Sequence, residues 1–323
     1  MRSDVLELLR EAGGYISGEK MAERLGVTRA AVWKKIAALR DAGYDISSAP
    51  RSGYILRSAP DRLIEPEIAK GLGTELVGRK IICYDAVGST NLLLKDMARQ
   101  GAENGTVVVA DTQGMGRGRM ERAFFSPPGK GIYVSILLRP NFLPQDAPKC
   151  TLMAVVAVAR AMEKFGLRAA IKWPNDIMHD GRKMVGILTE MSAEMDRVNY
   201  VVIGIGINVN IASEDFPEEL RPIATSLMQM KGEPLPRVAF LQELLRALDA
   251  LYACAQQEGF APVLAAWREY AVTLGQQVRV IGPAGESFEG MAADIDAEGA
   301  LLIDTSTGRR RVLAGDVSIR PKE

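Results

Sequence analysis

Histidine is almost absent from this chain, with one residue, His179, in 323. Chemistry that needs a histidine cluster or two catalytic histidines is thereby excluded, and a Ser/His/Asp triad would have to be built on that single residue. Cysteine is nearly as scarce. Cys83, Cys150 and Cys254 are scattered and odd in number, so they form neither a disulfide framework nor a recognisable zinc site and read as buried free thiols. Net charge is missing as well: 40 Lys+Arg stand against 40 Asp+Glu, so any basic surface has to be local. No apolar run approaches the roughly 20 residues needed to cross a bilayer. The opening Met1-Arg2-Ser3-Asp4 leads into an amphipathic pattern instead of a signal-peptide core, and a cytoplasmic protein is expected. What is present is an ordinary globular balance, 47% hydrophobic and 25% charged residues. The length suits about two or three domains.

Residues 1–60 hold ten Lys/Arg against seven Asp/Glu, a net of +3 that leaves −3 for the remainder. The polar stretch before Pro60-Asp61 marks one boundary, and the change near Ala271 from an apolar helical pattern to short alternating strands marks another. Three regions result: 1–60, 61–270 and 271–323.

In the first region Val5, Leu8 and Leu9 share a helical face, and Ser17-Gly18-Glu19-Lys20 opens a second helix with Met21, Ala22 and Leu25 inward until Gly26 ends it. Thr28 reads as the N-cap of a third helix, where Val32, Ile36 and Leu39 recur at i, i+4 and i+7 and leave Arg29, Lys34 and Lys35 outward. Asp45-Ile46 and Tyr54-Ile55-Leu56 bracket Pro50-Arg51-Ser52-Gly53, a turn-rich hairpin, or wing. This is a winged helix-turn-helix pattern, whose outward cations and Arg51 suit phosphates in and beside the major groove of DNA. A small protein-interaction module with a solvated charged face would carry the same spacing.

The middle region alternates strand and helix: strands at 81–84, 106–110, 132–138, 184–191 and 200–208, helices at 90–100 and near 150–165. Asp180-Gly181 turns the chain between Ile171-Lys172-Trp173 and Met184-Val185-Gly186-Ile187-Leu188, so the sheet is expected to be mixed. After the 106–110 strand come Gln113, Gly114, Gly116, Arg117, Gly118 and Arg119. Glycines there leave backbone N–H groups open to phosphate or carboxylate oxygens, and the arginines add forked cationic donors. The loop is suited to an anion, although a solvated Gly/Arg loop would look alike. The Gly-x-Gly-x-x-Gly dinucleotide spacing is not met, and Gly129-Lys130 is followed by Gly131, which fails the Walker pattern.

Three further clusters are candidates. Ser89-Thr90-Asn91 stands at a strand-to-helix junction, where it either caps the helix or faces a polar ligand. Lys172-Trp173-Pro174-Asn175-Asp176 ends a strand, with Lys183 just past the turn. Gly204-Ile205-Gly206-Ile207-Asn208 closes a β-rich run in which glycines permit close approach or a bulge.

In this order and spacing, together with Arg182-Lys183 and Gly186-Ile187-Leu188, these motifs resemble the biotin–protein ligases over nearly the whole chain. With the N-terminal winged helix they resemble the bifunctional type that also represses a biotin operon. The resemblance implies an α+β multidomain fold: a winged helix-turn-helix, a central mixed-sheet α/β ligase domain and a C-terminal SH3-like β-barrel. It implies that biotin's carboxylate attacks the α-phosphate of Mg-ATP to give biotinyl-5′-AMP, and that a lysine of the biotin carboxyl carrier domain of acetyl-CoA carboxylase then takes the biotinyl group. ATP and Mg2+ enter as cosubstrate and metal, biotin as substrate, and no permanently bound cofactor is expected.

By the family pattern Ser89, Thr90, Asn91 and Gln113 line the biotin pocket, and Arg117, Gly118 and Arg119 close over the biotin carboxyl and phosphate. Arg117, Arg119 and Lys183 are the catalytic candidates, with Lys183 at the carboxylate or bridging oxygen. Gly116, Phe124, Lys172, Asn175, Asp176, Asn208 and Arg320 fall on the ATP side, with Asp176 a Mg2+ candidate. Thr28, Arg29, Lys34, Lys35 and Arg51 are the DNA candidates. Partners implied are operator DNA, the carrier domain and a second copy of the chain when the adenylate is bound, with no membrane. Met120-Glu121-Arg122 departs from the commonest bacterial loop, and Phe124 stands where Trp is frequent. Arg309-Arg310-Arg311 reads as a solvated hairpin before a nucleic-acid patch. Two other readings share part of the pattern: a biotin-sensing repressor without ligase activity, and a ligase for a related acid such as lipoate.

Overall fold

The computed structural model describes residues 4–119, 122–282 and 286–314, and the backbone of a last strand at 318–321. It divides into two units, Met1–Arg62 and Leu63–Glu323.

The first unit contains α1 (Val5–Ala12), α2 (Gly18–Leu25), α3 (Arg29–Asp41) and a hairpin of β1 (Asp45–Ala49) and β2 (Gly53–Ser58). Each helix starts on a side-chain cap that satisfies a backbone N–H left over at its first turn. Asp4 accepts from Val5 N at 2.6 Å while Glu7 reaches back to Asp4 N, Ser17 accepts from Lys20 N at 3.1 Å, and Thr28 accepts from Ala31 N at 3.2 Å. Val5, Leu8, Leu9, Met21, Val32 and Ile36 form the buried interior. Leu25 and Leu39, expected inward, stay half-buried because each lies in the last turn of its helix; Tyr44 and Ile46 complete the core from the hairpin side. Ile16 exchanges both backbone hydrogen bonds with Tyr54, a single bridge that ties the segment before α2 to the wing. Gly53 is required there, since a Cβ would stand 2.1 Å from Ile16 O.

The second unit opens with α4 (Glu65–Ala69), then β3 (Lys80–Val87), α5 (Thr90–Arg99), β4 (Thr106–Gln113), β5 (Gly131–Leu138) and α6 (Lys149–Lys164). There follow β6 (Ile171–Lys172), β7 (Asp176–His179), β8 (Arg182–Ala193), β9 (Val198–Asn208), α7 (Leu227–Lys231), α8 (Arg237–Glu258) and α9 (Ala261–Tyr270). The strands make one seven-stranded sheet in the order β3-β4-β5-β9-β8-β7-β6, mixed as expected because only β3 and β4 run parallel. Asp180 and Gly181 take left-handed conformations (φ 48° and 74°) in the two-residue turn between β7 and β8. One face of the sheet carries α5, against Val108, Leu137 and Val202. The other carries α6, apolar almost all round because α8 and α9 cover its outer side.

The last five strands are β10 (Gln277–Ile281), β11 (Ser287–Ile295), β12 (Leu301–Thr305), β13 (Gly308–Val312) and β14 (Ser318–Pro321). They are all antiparallel, in the order β13-β12-β11-β10-β14. This corrects the expected SH3-like barrel: the sheet is open, with β13 and β14 at its two edges instead of paired with each other. The buried core does not pause at Ala271, since Val278, Val280, Leu301 and Ile303 belong to the same cluster as α6, α8 and the large sheet. The arginine run is spent locally: Arg309 pairs with Asp304 at 2.7 Å, Arg310 stacks 4.0 Å from the Phe288 ring centre, and Arg311 pairs with Asp296 and Glu298.

Candidate functional site

A cavity of about 300 Å³ opens where the glycine-bearing strands β8 and β9 meet the end of β4 and the N-terminus of α5. Its lining brings together Ser89, Thr90, Asn91, Gln113, Arg117, Gly118, Arg119, Phe124, Lys172, Asn175, Asp176, Lys183 and Asn208, drawn from segments far apart in the chain. Gly116, expected with them, is not among the lining residues. It is the pivot of the loop, with its carbonyl accepting from Phe124 N at 2.9 Å and a Cβ there standing 2.5 Å from Phe124 O. The backbone at Arg320 pairs with Arg279 in the C-terminal sheet; the Arg320 side chain, like Met120 and Glu121, lies outside the described residues.

One end of the cavity is a neutral polar network. Ser89 holds the N-cap position of α5 without a capping hydrogen bond from its side chain, so capping does not account for it. Gln113 Oε1 accepts from Thr90 N at 2.9 Å and faces Thr90 Oγ1 at 3.1 Å. Asn91 Nδ2 donates to Leu188 O and to Glu190, whose other oxygen pairs with Lys95 at 2.6 Å. Asn91 Oδ1 can only accept, so the single proton of the buried Ser135 hydroxyl, 2.6 Å away, goes there. The Thr90 hydroxyl has Ser135 Oγ at 2.8 Å and Gln113 Oε1 at 3.1 Å to take its proton. Its oxygen is thereby left as an acceptor for an incoming N–H. Gly204 makes room for this arrangement, as a Cβ would stand 2.0 Å from Asn91 Oδ1.

The other end is cationic. Arg117 and Arg119 lie on a loop that doubles back, with Arg117 bridging to Ala123 and Gly118 N donating to Arg122 O at 2.7 Å. Arg119 Nη1 reaches across to Asn175 Oδ1 at 3.2 Å, and Asn175 Nδ2 is fixed by Ile187 O at 2.7 Å. Lys183 Nζ lies 2.6 Å from Asp176 Oδ1, a charge contact that is not aligned as a hydrogen bond. Among the described residues the lining holds five cations, Arg117, Arg119, Arg122, Lys172 and Lys183, and one carboxylate, Asp176. Asn208 is buried, its Nδ2 donates to Thr225 O at 3.0 Å, and its Oδ1 has no hydrogen-bond partner among the described residues. An orphaned buried acceptor on a cavity wall is suited to a ligand donor. Between the two ends Phe124 lies over Gly186 and Gly206, where a Cβ would meet its ring at 3.2 Å and 2.6 Å.

None of the three thiols lines the cavity, and of the three expected to be buried only Cys150 is, Cys83 and Cys254 being half-buried. Burial pushes Cys83 and Cys150 up to about 12, which keeps both protonated. No group of three or more metal-ligating side chains exists among the described residues. With one carboxylate in the cavity among the described residues, already facing Lys183, the donor set would fit a Mg2+ held mainly by a ligand's own phosphates.

In the N-terminal unit Thr28, Arg29, Lys34, Lys35 and Arg51 are all exposed. Thr28 is a cap, and Lys35 is engaged at 2.8 Å by Asp4, the cap of α1. Arg29, Lys34 and Arg51 have no ion pair among the described residues.

Sequence reading passed over several contributors. Ser135 could have been found, as the one serine in the wholly buried β5, whose other hydroxyl, on Tyr133, donates to Pro127 O. Ser126 donates to Phe124 O at 3.0 Å and accepts from Gln113 Nε2, tying the loop to the polar network, while Phe216, Leu220 and Ile223 line the cavity from a segment without a motif. The Lys172–Asp176 segment is held from the C-terminal side: Trp173 N donates to Thr273 Oγ1 at 2.9 Å and Trp173 Nε1 to Gly299 O at 3.2 Å.

Three family models match the chain: an HTH domain at residues 2–55, the biotin/lipoate A/B protein ligase family at 84–208, and the biotin protein ligase C terminal domain at 273–320. The bifunctional ligase/repressor BirA of Bacillus spizizenii is 44% identical over 99% of this chain and 98% of its own length. Its Escherichia coli counterpart is 33% identical over 96% and 95%. The structure of the biotin protein ligase from Aquifex aeolicus in complex with biotin and ATP matches with a TM-score of 0.67 and 28% identity, covering 76% of this chain and 100% of that one. The chain therefore belongs to the biotin–protein ligases of the bifunctional ligase/repressor type.

Proposed function

We infer that this chain joins biotin to a lysine of a biotin carboxyl carrier domain at the expense of ATP, through biotinyl-5′-AMP, and that the adenylate-loaded protein represses a biotin operon. The observation that carries the ligase reading is the pairing, in one cavity, of a neutral network with a cationic wall.

A cyclic urea suits the network: its N–H groups meet acceptors such as Thr90 Oγ1, and its carbonyl meets the uncapped Ser89 hydroxyl. The carboxylate at the other end of biotin then points at the cations. There Arg117, Arg119 and Lys183 bring a carboxylate and a phosphate together against their mutual repulsion, and Lys183 offsets the charge that develops as the acyl-phosphate bond forms. Asn208 Oδ1 accepts from the adenine amine, and Asp176 supplies at most one ligand to the Mg2+ that accompanies ATP. Bound Mg2+ would neutralise phosphate charge. The loop carrying Arg117 and Arg119 shields the mixed anhydride from water until the carrier lysine attacks it and AMP leaves.

Asn91 is assigned as a positioning residue, because its amide is consumed by Glu190, Leu188 and Ser135. We place the operator-binding function in residues 1–60 and the ligase function in 61–270, with the open sheet of 271–323 bracing the Lys172–Asp176 segment. The setting is the cytoplasm; among the described residues no helix is long and apolar enough to cross a membrane. A two-fold dimer would present two winged helices to an inverted repeat.

The test is biotin-dependent pyrophosphate exchange with Mg-ATP, using lipoate as control. A signal with biotin alone is expected. Exchange with lipoate and not biotin would replace the substrate, and silence from folded protein would leave a DNA-binding sensor.

A further inference from the structure

Helix α3 does not divide into an apolar inner face and a polar outer one. Val32 and Ile36 are fully buried beneath it, yet Trp33 is 63% exposed on its other side, and Val27, just before its cap, is 40% exposed. Ala30, Trp33, Lys34 and Ala37 fall at i, i+3, i+4 and i+7 and so share one face. The two alanines, at i−3 and i+4, leave the indole flanked by small side chains along that face, with Arg29 and Lys34 at its margins. Burying Trp33 elsewhere would be favourable, and among the described residues of its own unit none covers it.

The neighbourhood identifies what should. Arg29 and Lys34 on the same helix, and Arg51 on the wing, lack ion pairs among the described residues. A partner has to offer apolar contact within an anionic surface. The DNA major groove does this: thymine presents its C5-methyl between two rows of phosphates, and the groove admits a helix whose outer face is small.

We propose that Trp33 is a base-reading residue whose indole packs on a thymine C5-methyl, while Arg29 and Lys34 hold the flanking phosphates. The proposal rests on the operator-binding reading of the N-terminal unit and adds to it the residue that makes binding depend on sequence.

The experiment uses the full chain with biotin and Mg-ATP, on DNA from its own biotin-biosynthesis promoter and on unrelated DNA of equal length. Trp33→Ala and Trp33→Phe are compared with the unaltered chain by fluorescence anisotropy. Each thymine of the site is replaced singly by uracil, which removes only the methyl group. Trp33→Ala should weaken promoter binding about tenfold, as loss of one base contact does, and leave unrelated DNA unaffected. Trp33→Phe should retain part of the difference. At one thymine or two per half-site, uracil should weaken the unaltered chain and leave Trp33→Ala unchanged. Equal weakening on both DNAs, no weakening, or no coupled thymine would overturn the proposal. A Trp33→Ala chain that binds promoter normally but changes its oligomeric state would assign the indole to a protein contact instead. If the unaltered chain prefers no promoter DNA, the operator reading fails and the proposal with it.

Discussion

Lys183 Nζ stands 2.6 Å from Asp176 Oδ1, across the hairpin that joins β7 to β8. Lys183 is carried by the paired strands on either side of the two-residue turn at Asp180-Gly181, so the ammonium we assign to the reacting anions is placed by backbone pairing and not by a loop. Lys183→Ala should therefore slow adenylate formation by about a hundredfold or more, the cost of losing one preorganised electrostatic group, while biotin binding falls much less. Pyrophosphate exchange against a biotin titration separates the two; an unaltered first step would remove Lys183 from the chemistry.

Arg119 is the loop residue that bridges to the opposite wall through Asn175. Arg119→Gly should cut that tie and let biotinyl-5′-AMP escape, so that biotin appears on lysines of unrelated proteins in solution. Blotting a bystander protein for biotin checks this. Normal adenylation with unchanged acceptor selectivity would refute it.

Gly204→Ala drives a Cβ to within 2.0 Å of Asn91 Oδ1, in a layer with no slack. Overpacking of this kind costs about 1–3 kcal/mol. The displaced amide releases Ser135 and Thr90, so biotin affinity should fall even at temperatures where the variant is fully folded. A thermal melt paired with a biotin titration reads both; a variant with normal affinity would detach the network from ligand recognition.

The Lys35 ammonium, hydrogen-bonded to Asp4, holds that carboxyl below its ordinary value of 3.8. A depressed carboxyl stabilises the folded state above the unfolded value and loses that contribution as pH falls through the folded one. Hydrogen exchange at the α1 amides should thus be faster in Lys35→Ala at pH 6, by at most about fivefold for so exposed a pair, and equal to the unaltered chain well below pH 3.8. Because Lys35 is engaged within its own unit, Lys35→Ala should also lower the salt dependence of DNA binding less than Arg29→Ala, which removes about one phosphate contact.

Features set by near neighbours in the chain were legible beforehand. Caps at Ser17 and Thr28, the inward Val32 and Ile36, the Asp180-Gly181 turn and the apolar α6 all follow from local hydrogen bonding or periodicity. The motif residues could be named, but not their division of labour. Asn91 reads as a ligand contact until Glu190, 99 residues away, is seen to take its amide. Gly116 reads as a phosphate cradle until its Cβ position is found against Phe124 O, and the closeness of Phe124 to Gly186 and Gly206 is visible only once the strands are paired. The openness of the last sheet was equally hidden, since alternation specifies strands and not which two strands end unpaired.

The hydrogen bond from the Trp173 indole to Gly299 O spans 126 residues and ties the loop beside Asp176 to a turn between β11 and β12. Gly299 has a positive φ (79°), and a Cβ there would stand 2.7 Å from Leu152 of α6, so the turn can neither gain a side chain nor shift outward without moving that indole. Inheritance of the C-terminal sheet is thus bound to inheritance of the Lys172–Asp176 loop. A chimera that exchanges residues 271–323 with those of a relative has to carry Trp173, Thr273 and Gly299 as one set, whatever freedom the surface strands have to diverge.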